Sequence, residues 1–212
     1  MHLSVARFNS QLADMGQNMT WARASFCPCR DENSGAAVAG CPVCRSRGTL
    51  WSPPVAARAG LSGMKVQREW ERFGQYESGD VVVSVGSNTP LYAAGENDRI
   101  VFVQSSESFD VVLKRGAADK LPYTVITLDR CFWLSTDRQT IVEGGLPVQS
   151  ADGLLTWPDG QLAPPTRTQY TLRGRKAPEY FLFKELAMDR SHFGGLALPR
   201  RLALRKFDLF GR

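Results

Sequence analysis

At 212 residues, with 43% hydrophobic and 22% charged side chains, the chain has the length for one or two domains and the balance of an ordinary water-soluble globular protein. No apolar run approaches the roughly 20 residues that span a bilayer. The start, MHLSVARFNSQLADMGQNMTW, lacks both a long apolar stretch and a small-residue cleavage pattern, which argues against a membrane partner and for a reducing cytoplasm. The net charge of +5 is uneven: Lys/Arg against Asp/Glu number 9 to 5 over residues 1–75, 6 to 12 over 76–165 and 11 to 4 over 166–212. A basic end on a mildly acidic body suits nucleic acid or an acidic neighbouring subunit.

In chain order, residues 3–16 place Leu3, Ala6, Phe8, Leu12 and Met15 at rough helical spacing, with Gly16 as a stop. Residues 20–52 form a cysteine module bracketed by Trp21 and Trp51, each expected to pack on the other or on the body. From residue 54 the pattern is β. Strands are expected over Pro54–Gly60, Val81–Val85, Arg99–Gln104, Phe109–Lys114, Tyr123–Leu134 (bent near Asp129), Thr140–Glu143, Leu154–Trp157, Gln169–Arg173 and Pro178–Leu186. Met64–Phe73 reads as either a short helix or an extended segment. The last stretch, Leu198 to Phe210, alternates apolar and basic residues, as an ordered strand or a docking arm does. Short strands at about ten-residue intervals predict a mainly β fold, a small β-barrel or sandwich with a short N-terminal helix, an inserted four-cysteine module and an extended C-terminal arm. The expected division is 1–53, 54–165 and 166–212.

The chemistry concentrates in four cysteines. Cys27-Pro-Cys29 and Cys41-Pro-Val-Cys44 are separated by eleven residues. Pair-loop-pair spacing gathers four thiolates at one point, which suits tetrahedral zinc. Proline stiffens each turn, and Gly48 permits the left-handed turn that follows such a knuckle. The first pair is C-x-C where knuckles usually have C-x-x-C, and that tighter spacing strains a shared metal. A disulfide pair, or four unliganded buried thiols, are the competing readings. Cys131, in the apolar run Cys131-Phe-Trp-Leu134, reads as a buried structural thiol.

Enzyme signatures are sparse. His2 lies at the terminus and His192 in a turn-like segment beside Ser191. No P-loop, dinucleotide fingerprint, H-E-x-x-H or G-x-S-x-G occurs. Asp80, Glu96, Asp98, Asp129 and Asp137 form no recognisable acid/base set, and Asp98-Arg99 reads as a turn salt bridge. A site closed by four thiolates leaves no open position for water, the mark of a structural metal. A C-x-C pair could instead serve thiol-disulfide exchange. No enzymatic activity is expected. Arg45 and Arg47 beside Cys44, with Trp51 close by, support an alternative, a zinc-knuckle nucleic-acid-binding protein.

The run Cys27-Pro-Cys29-Arg30-Asp31, the return Cys41-Pro-Val-Cys44 with Gly48-Thr49-Leu50-Trp51, and the later Glu77-Ser78-Gly79-Asp80 and Pro90-Leu91-Tyr92 resemble small virion proteins of tailed bacteriophages. Thr168 to Leu172 with Ala177 to Phe181, and the ending Leu198-Pro199-Arg200-Arg201 to Phe207-Asp208, fit the same picture. The resemblance implies a head-to-tail connector, a stopper-like neck protein assembled as a homo-oligomeric ring between the portal and the tail. Its implied partners are portal or adaptor and tail proteins. Non-specific contact with DNA in the lumen also follows, as does residence in the virion neck after assembly in the host cytoplasm. The zinc-type cysteines are an addition to the common stopper pattern.

Overall fold

The computed structural model describes residues 4–62, 68, 71–72, 74, 76–116, 119–186 and 192–210. Leu3, His2, Ser191 and most of Met64–Phe73 lie outside the described residues. Helix α1 (Val5–Met15) leads into β1 (Gln17–Ala22), β2 (Ala24–Phe26), β3 (Thr49–Trp51), β4 (Val55–Leu61), β5 (Val81–Val85) and β6 (Arg99–Phe102). Then come β7 (Glu107–Lys114), β8 (Val125–Leu134), β9 (Ile141–Glu143), β10 (Val148–Gln149), β11 (Leu155–Thr156) and β12 (Gln169–Lys176). The chain ends with β13 (Glu179–Glu185), β14 (His192–Phe193), β15 (Leu196–Ala197) and β16 (Arg200–Lys206). The fold is mainly β, with a closed six-stranded barrel, as the strand spacing predicts.

Two compact units result, Met1–Gln104 with Glu179–Arg212, and Ser105–Pro178. These boundaries differ from the division expected at 53/54 and 165/166. The reason is that β13 and β16 return to complete the sheet that β1 and β4 begin.

In the first unit the barrel runs β1-β4-β5-β16-β13-β6, every neighbouring pair antiparallel. Closure leaves no strand edge within it. Alternate residues point inward: Met19 and Trp21 from β1, Ala57 and Ala59 from β4, Val83 and Val85 from β5, Ile100 and Phe102 from β6, Tyr180 and Leu182 from β13, and Leu202 and Leu204 from β16. Leu91, in the short 3-10 turn Pro90–Ala93, fills the same core. Of the strand and the arm that residues 198–210 allowed, the strand forms. Leu202 and Leu204 are buried inside the barrel, so this stretch is an inner strand and not the extended C-terminal arm expected. The intervening Ala203 packs outside with Val82, Phe183 and Leu186.

Ser4 caps α1 by accepting from the Arg7 N–H, and the Gly16 N–H closes the helix on the Leu12 carbonyl at 2.8 Å. A Cβ at Gly16 would sit 2.3 Å from that carbonyl oxygen and 3.3 Å from the Ala59 carbonyl oxygen, so the stop needs glycine. Asp98 forms no salt bridge with Arg99, contrary to expectation. Its carboxylate is buried and accepts from Trp21 Nε1 and the Ala24 N–H, both at 2.7 Å, and from the Gly95 N–H at 2.9 Å. Arg99 instead pairs with Glu179, and Arg205 with buried Asp80 at 3.1 Å.

The second unit is a four-stranded antiparallel sheet, β7-β12-β8-β9, with a β10-β11 hairpin. Phe109, Leu113, Leu121, Cys131, Trp133, Leu155, Tyr170 and Leu172 form its core. The bend expected near Asp129 is a β-bulge. Arg173 pairs with Arg130 and Gly174 with Leu128, so Asp129 is the extra residue. Buried Asp119 ties the loops here as Asp98 does in the barrel unit, accepting from Tyr170 Oη at 2.9 Å and from Arg115 Nη1 and the Gly116 N–H at 2.7 Å each. Burial, then the Asp119 hydrogen bond, pushes the Tyr170 phenol far above its ordinary range.

Candidate metal centre

The cysteine module is a hairpin, β2 paired with β3, whose long connection carries all four cysteines. At its base the Cys27 N–H donates to the Gly48 carbonyl at 2.9 Å. The first turn closes with the Arg30 N–H on the Cys27 carbonyl at 3.0 Å, and the second with the Arg45 N–H on the Cys41 carbonyl at 2.8 Å. Between them, Asp31 organises the loop. Its carboxylate accepts from the Asn33 and Ser34 N–H groups and the Ser34 hydroxyl, and the Ser34 bonds hold its carboxyl below the usual range. An isolated bridge joins Arg30 to Ala37 and brings the second pair back over the first.

The left-handed turn expected at Gly48 is present, with φ 69°, and Arg45 and Ser46 are also left-handed, with φ 52° and 65°. Those two non-glycine residues turn the chain tightly enough for the Gly48 N–H to donate to Cys44 Sγ at 3.3 Å.

The four sulfur atoms of Cys27, Cys29, Cys41 and Cys44 all lie within 4.8 Å of one another, and Cys29 and Cys44 are 3.5 Å apart. Four sulfurs about 2.3 Å from one ion sit about 3.8 Å apart at tetrahedral angles. The set can therefore hold a metal ion. The tight C-x-C pair does not prevent this, because Cys27 and Cys29 both turn inward around Pro28. All five cysteines are free thiols, and no disulfide forms. Cys27, Cys41 and Cys44 are buried, and Leu50 packs against them.

Backbone donors surround the sulfurs. N–H groups of Cys44 and Val43 bring the Cys41 thiol down to about 7. The Val38 backbone acts the same way on Cys29, but burial and the three neighbouring sulfurs outweigh it and push that thiol up to about 12. Four thiolates this close would repel one another, and a cation at their centre would offset that repulsion. Cys131 belongs elsewhere. It is buried in the second unit's core, where desolvation raises its thiol to about 11, as expected of an inert structural cysteine.

Among the described residues no other group of His, Cys, Asp and Glu is arranged to hold a metal. Trp21 and Trp51 pack on the body rather than on each other. Trp21 is inside the barrel, and Trp51 donates to the Asn97 carbonyl at 3.1 Å while its ring meets Phe207 and Phe210 edge-on. That leaves Trp51 poorly placed to stack on a base. Arg45 and Arg47 are exposed. His192 is exposed on β14.

A cleft of about 640 Å³ beside the hairpin was not foreseen. It is lined by Phe26, Arg30, Arg47 and Thr49 from the module and by Phe181, Phe183, Arg205 and Phe210 from the barrel and the chain end, among others. These residues are far apart in sequence, and no local pattern announces their meeting.

No protein-family model matches the chain, and comparison with curated proteins finds no match.

Proposed function

We propose that the chain is a structural virion protein of a tailed phage, a subunit of a neck ring that joins the capsid portal to the tail and helps retain or conduct DNA. In this reading the four cysteines hold one structural zinc. The observation that carries it is the mounting of a closed four-thiol site on a closed β-barrel, built from the residues that resemble phage neck proteins. Cys27 to Asp31 and Cys41 to Trp51 are the hairpin. The Glu77–Asp80 turn holds Arg205 through Asp80. Leu91 fills the barrel, and β13 opens at Glu179.

A site of four sulfurs has no position left for a reacting water, so its contribution is to folding and rigidity. Soft thiolates in tetrahedral array favour zinc or an iron–sulfur cluster. The mutual closeness of all four sulfurs fits a single ion, since a cluster spreads its ligands over several irons. A zinc-held hairpin resists the internal pressure of packaged DNA without a core of its own. Neighbouring subunits and the portal, adaptor and tail proteins are the partners.

The test is genetic. An amber mutation in this gene of the source phage leaves DNA-filled heads and free tails that fail to join. Normal infectious particles from the amber lysate overturn the reading.

One observation favours a second reading, nucleic-acid binding by the module: Arg23, Arg45 and Arg47 are exposed around the hairpin. That reading predicts binding to single-stranded DNA that weakens steeply with salt.

A further inference from the structure

The cleft beside the cysteine hairpin is a separate feature from the metal centre, and its volume of about 640 Å³ falls in the range of ligand sites. Its floor is apolar. Phe181 is buried at the start of β13 and meets Phe210 edge-to-face at 5.1 Å, with Leu209 alongside. Its rim is cationic on the hairpin side. Arg30 spends its Nε on the Gly35 carbonyl, and neither Arg30 nor Arg47 makes an ion pair among the described residues. Two exposed carboxylates, Glu77 and Glu96, also line the cleft. Phe26, 67% exposed, lines it under the Arg30 guanidinium. Aromatic rings and arginines together are the residue types enriched where proteins meet partners.

We infer that this cleft receives a peptide segment of a partner protein, one carrying an aliphatic or aromatic anchor beside an acidic residue. The anchor enters among Phe181, Phe183 and Phe210. Its acidic neighbour meets Arg30 and Arg47, and backbone N–H groups or a basic side chain face Glu77 and Glu96. Two features favour a peptide over a nucleic-acid strand. One ring face of each candidate stacking residue is taken, Phe183 by the Arg205 guanidinium at 3.8 Å and Phe26 by Arg30 at 4.1 Å, which leaves fewer platforms for successive bases. Carboxylates in the wall repel a continuous phosphate backbone, whereas a peptide offers charges of both signs. The inference stands on the cleft alone and holds whether or not the chain is a neck protein.

The test is selection of a random heptapeptide library on the purified metal-loaded chain, followed by affinity measurement with the selected peptides. The control selection uses Arg47→Glu and Phe26→Ala, two exposed positions whose change leaves the barrel intact, checked by circular dichroism. The expected result is a shared motif of one large apolar residue next to Asp or Glu, bound at least tenfold more weakly by each variant and not displaced by a ten-nucleotide oligo-dT. Three results overturn the inference: no motif enriched, motif peptides bound equally by the variants, or oligo-dT bound in their place with the same dependence on Arg47 and Phe26.

Discussion

Replacing Asp98 with alanine tests how the barrel and the cysteine hairpin are joined. The carboxylate is 2% exposed and holds three donors: the Trp21 indole from inside the barrel, the Ala24 N–H at the root of the hairpin and the Gly95 N–H of its own turn. Hydrogen bonds to a charged group contribute about 1.5–3 kcal/mol each, and a donor left dry costs about as much. The Trp21 indole bond is buried and bears most of its penalty. The two backbone donors are partly buried and recover some of theirs from water. The loss is then about 3–5 kcal/mol, a large part of a domain's stability. Each 1.4 kcal/mol is tenfold, so amide exchange through global opening of the barrel unit speeds up by about two to three and a half orders of magnitude. Hydrogen-exchange mass spectrometry reads both units in one experiment. Protection should fall in β1, β4, β6 and β16 and stay unchanged in β8 and β12, which belong to the other compact unit. A loss below about 1 kcal/mol refutes the role given to Asp98. An equal loss in β8 and β12 refutes the independence of the two units.

Cys41→Ser removes one of four sulfurs. Zinc affinity, read by competition with a chromogenic chelator, should fall by more than the roughly 10–100-fold that follows loss of an outer partner, and exchange should rise between residues 24 and 51 with the barrel retained. Cys131→Ala should leave metal content unchanged, because Cys131 lies in the second unit's core. Gly174→Ala puts a Cβ 2.2 Å from the Thr127 carbonyl oxygen at the bulge, so denaturant titration should show a loss of about 1–3 kcal/mol confined to the second unit. Glu185 is held below the ordinary carboxylate range by its hydrogen bonds from Arg200, against a smaller opposing effect of burial. A carboxyl lowered by folding adds stability above its unfolded pKa and loses it as pH falls through the folded value. The pair is partly exposed, so Glu185→Gln should cost no more than about 1 kcal/mol at pH 7, and the difference in melting temperature should shrink as pH falls below the ordinary carboxylate range.

The barrel strands were legible where alternation was strong. Val81–Val85 matches β5, and the Pro54–Gly60 and Arg99–Gln104 stretches contain most of β4 and β6. β1 was missed because Gln17-Asn-Met-Thr-Trp-Ala22 follows the helix with polar residues at its outward positions and has no turn signal before it except Gly16. The ending Leu198 to Phe210 showed its alternation but not its destination. Whether such a segment is an inner strand or an arm depends on β5 and β13, neither of which adjoins it in sequence. Asp98 looked like a partner for Arg99 because sequence shows neighbours; the donors that claim it come from residues 21, 24 and 95. The four-cysteine cluster was readable because its members sit in two tight local pairs. The cleft was not, since the Phe26, Phe181 and Phe210 that shape it come from distant parts of the chain.

The most direct test of the proposed function is quantitative mass spectrometry of purified phage particles from the source strain, with labelled peptides of this chain as standards. A structural ring subunit should be present at a fixed number of copies per particle, unchanged by density-gradient repurification. Absence of the chain from intact, infectious particles would contradict the account and leave the four-cysteine hairpin to a nucleic-acid-binding role.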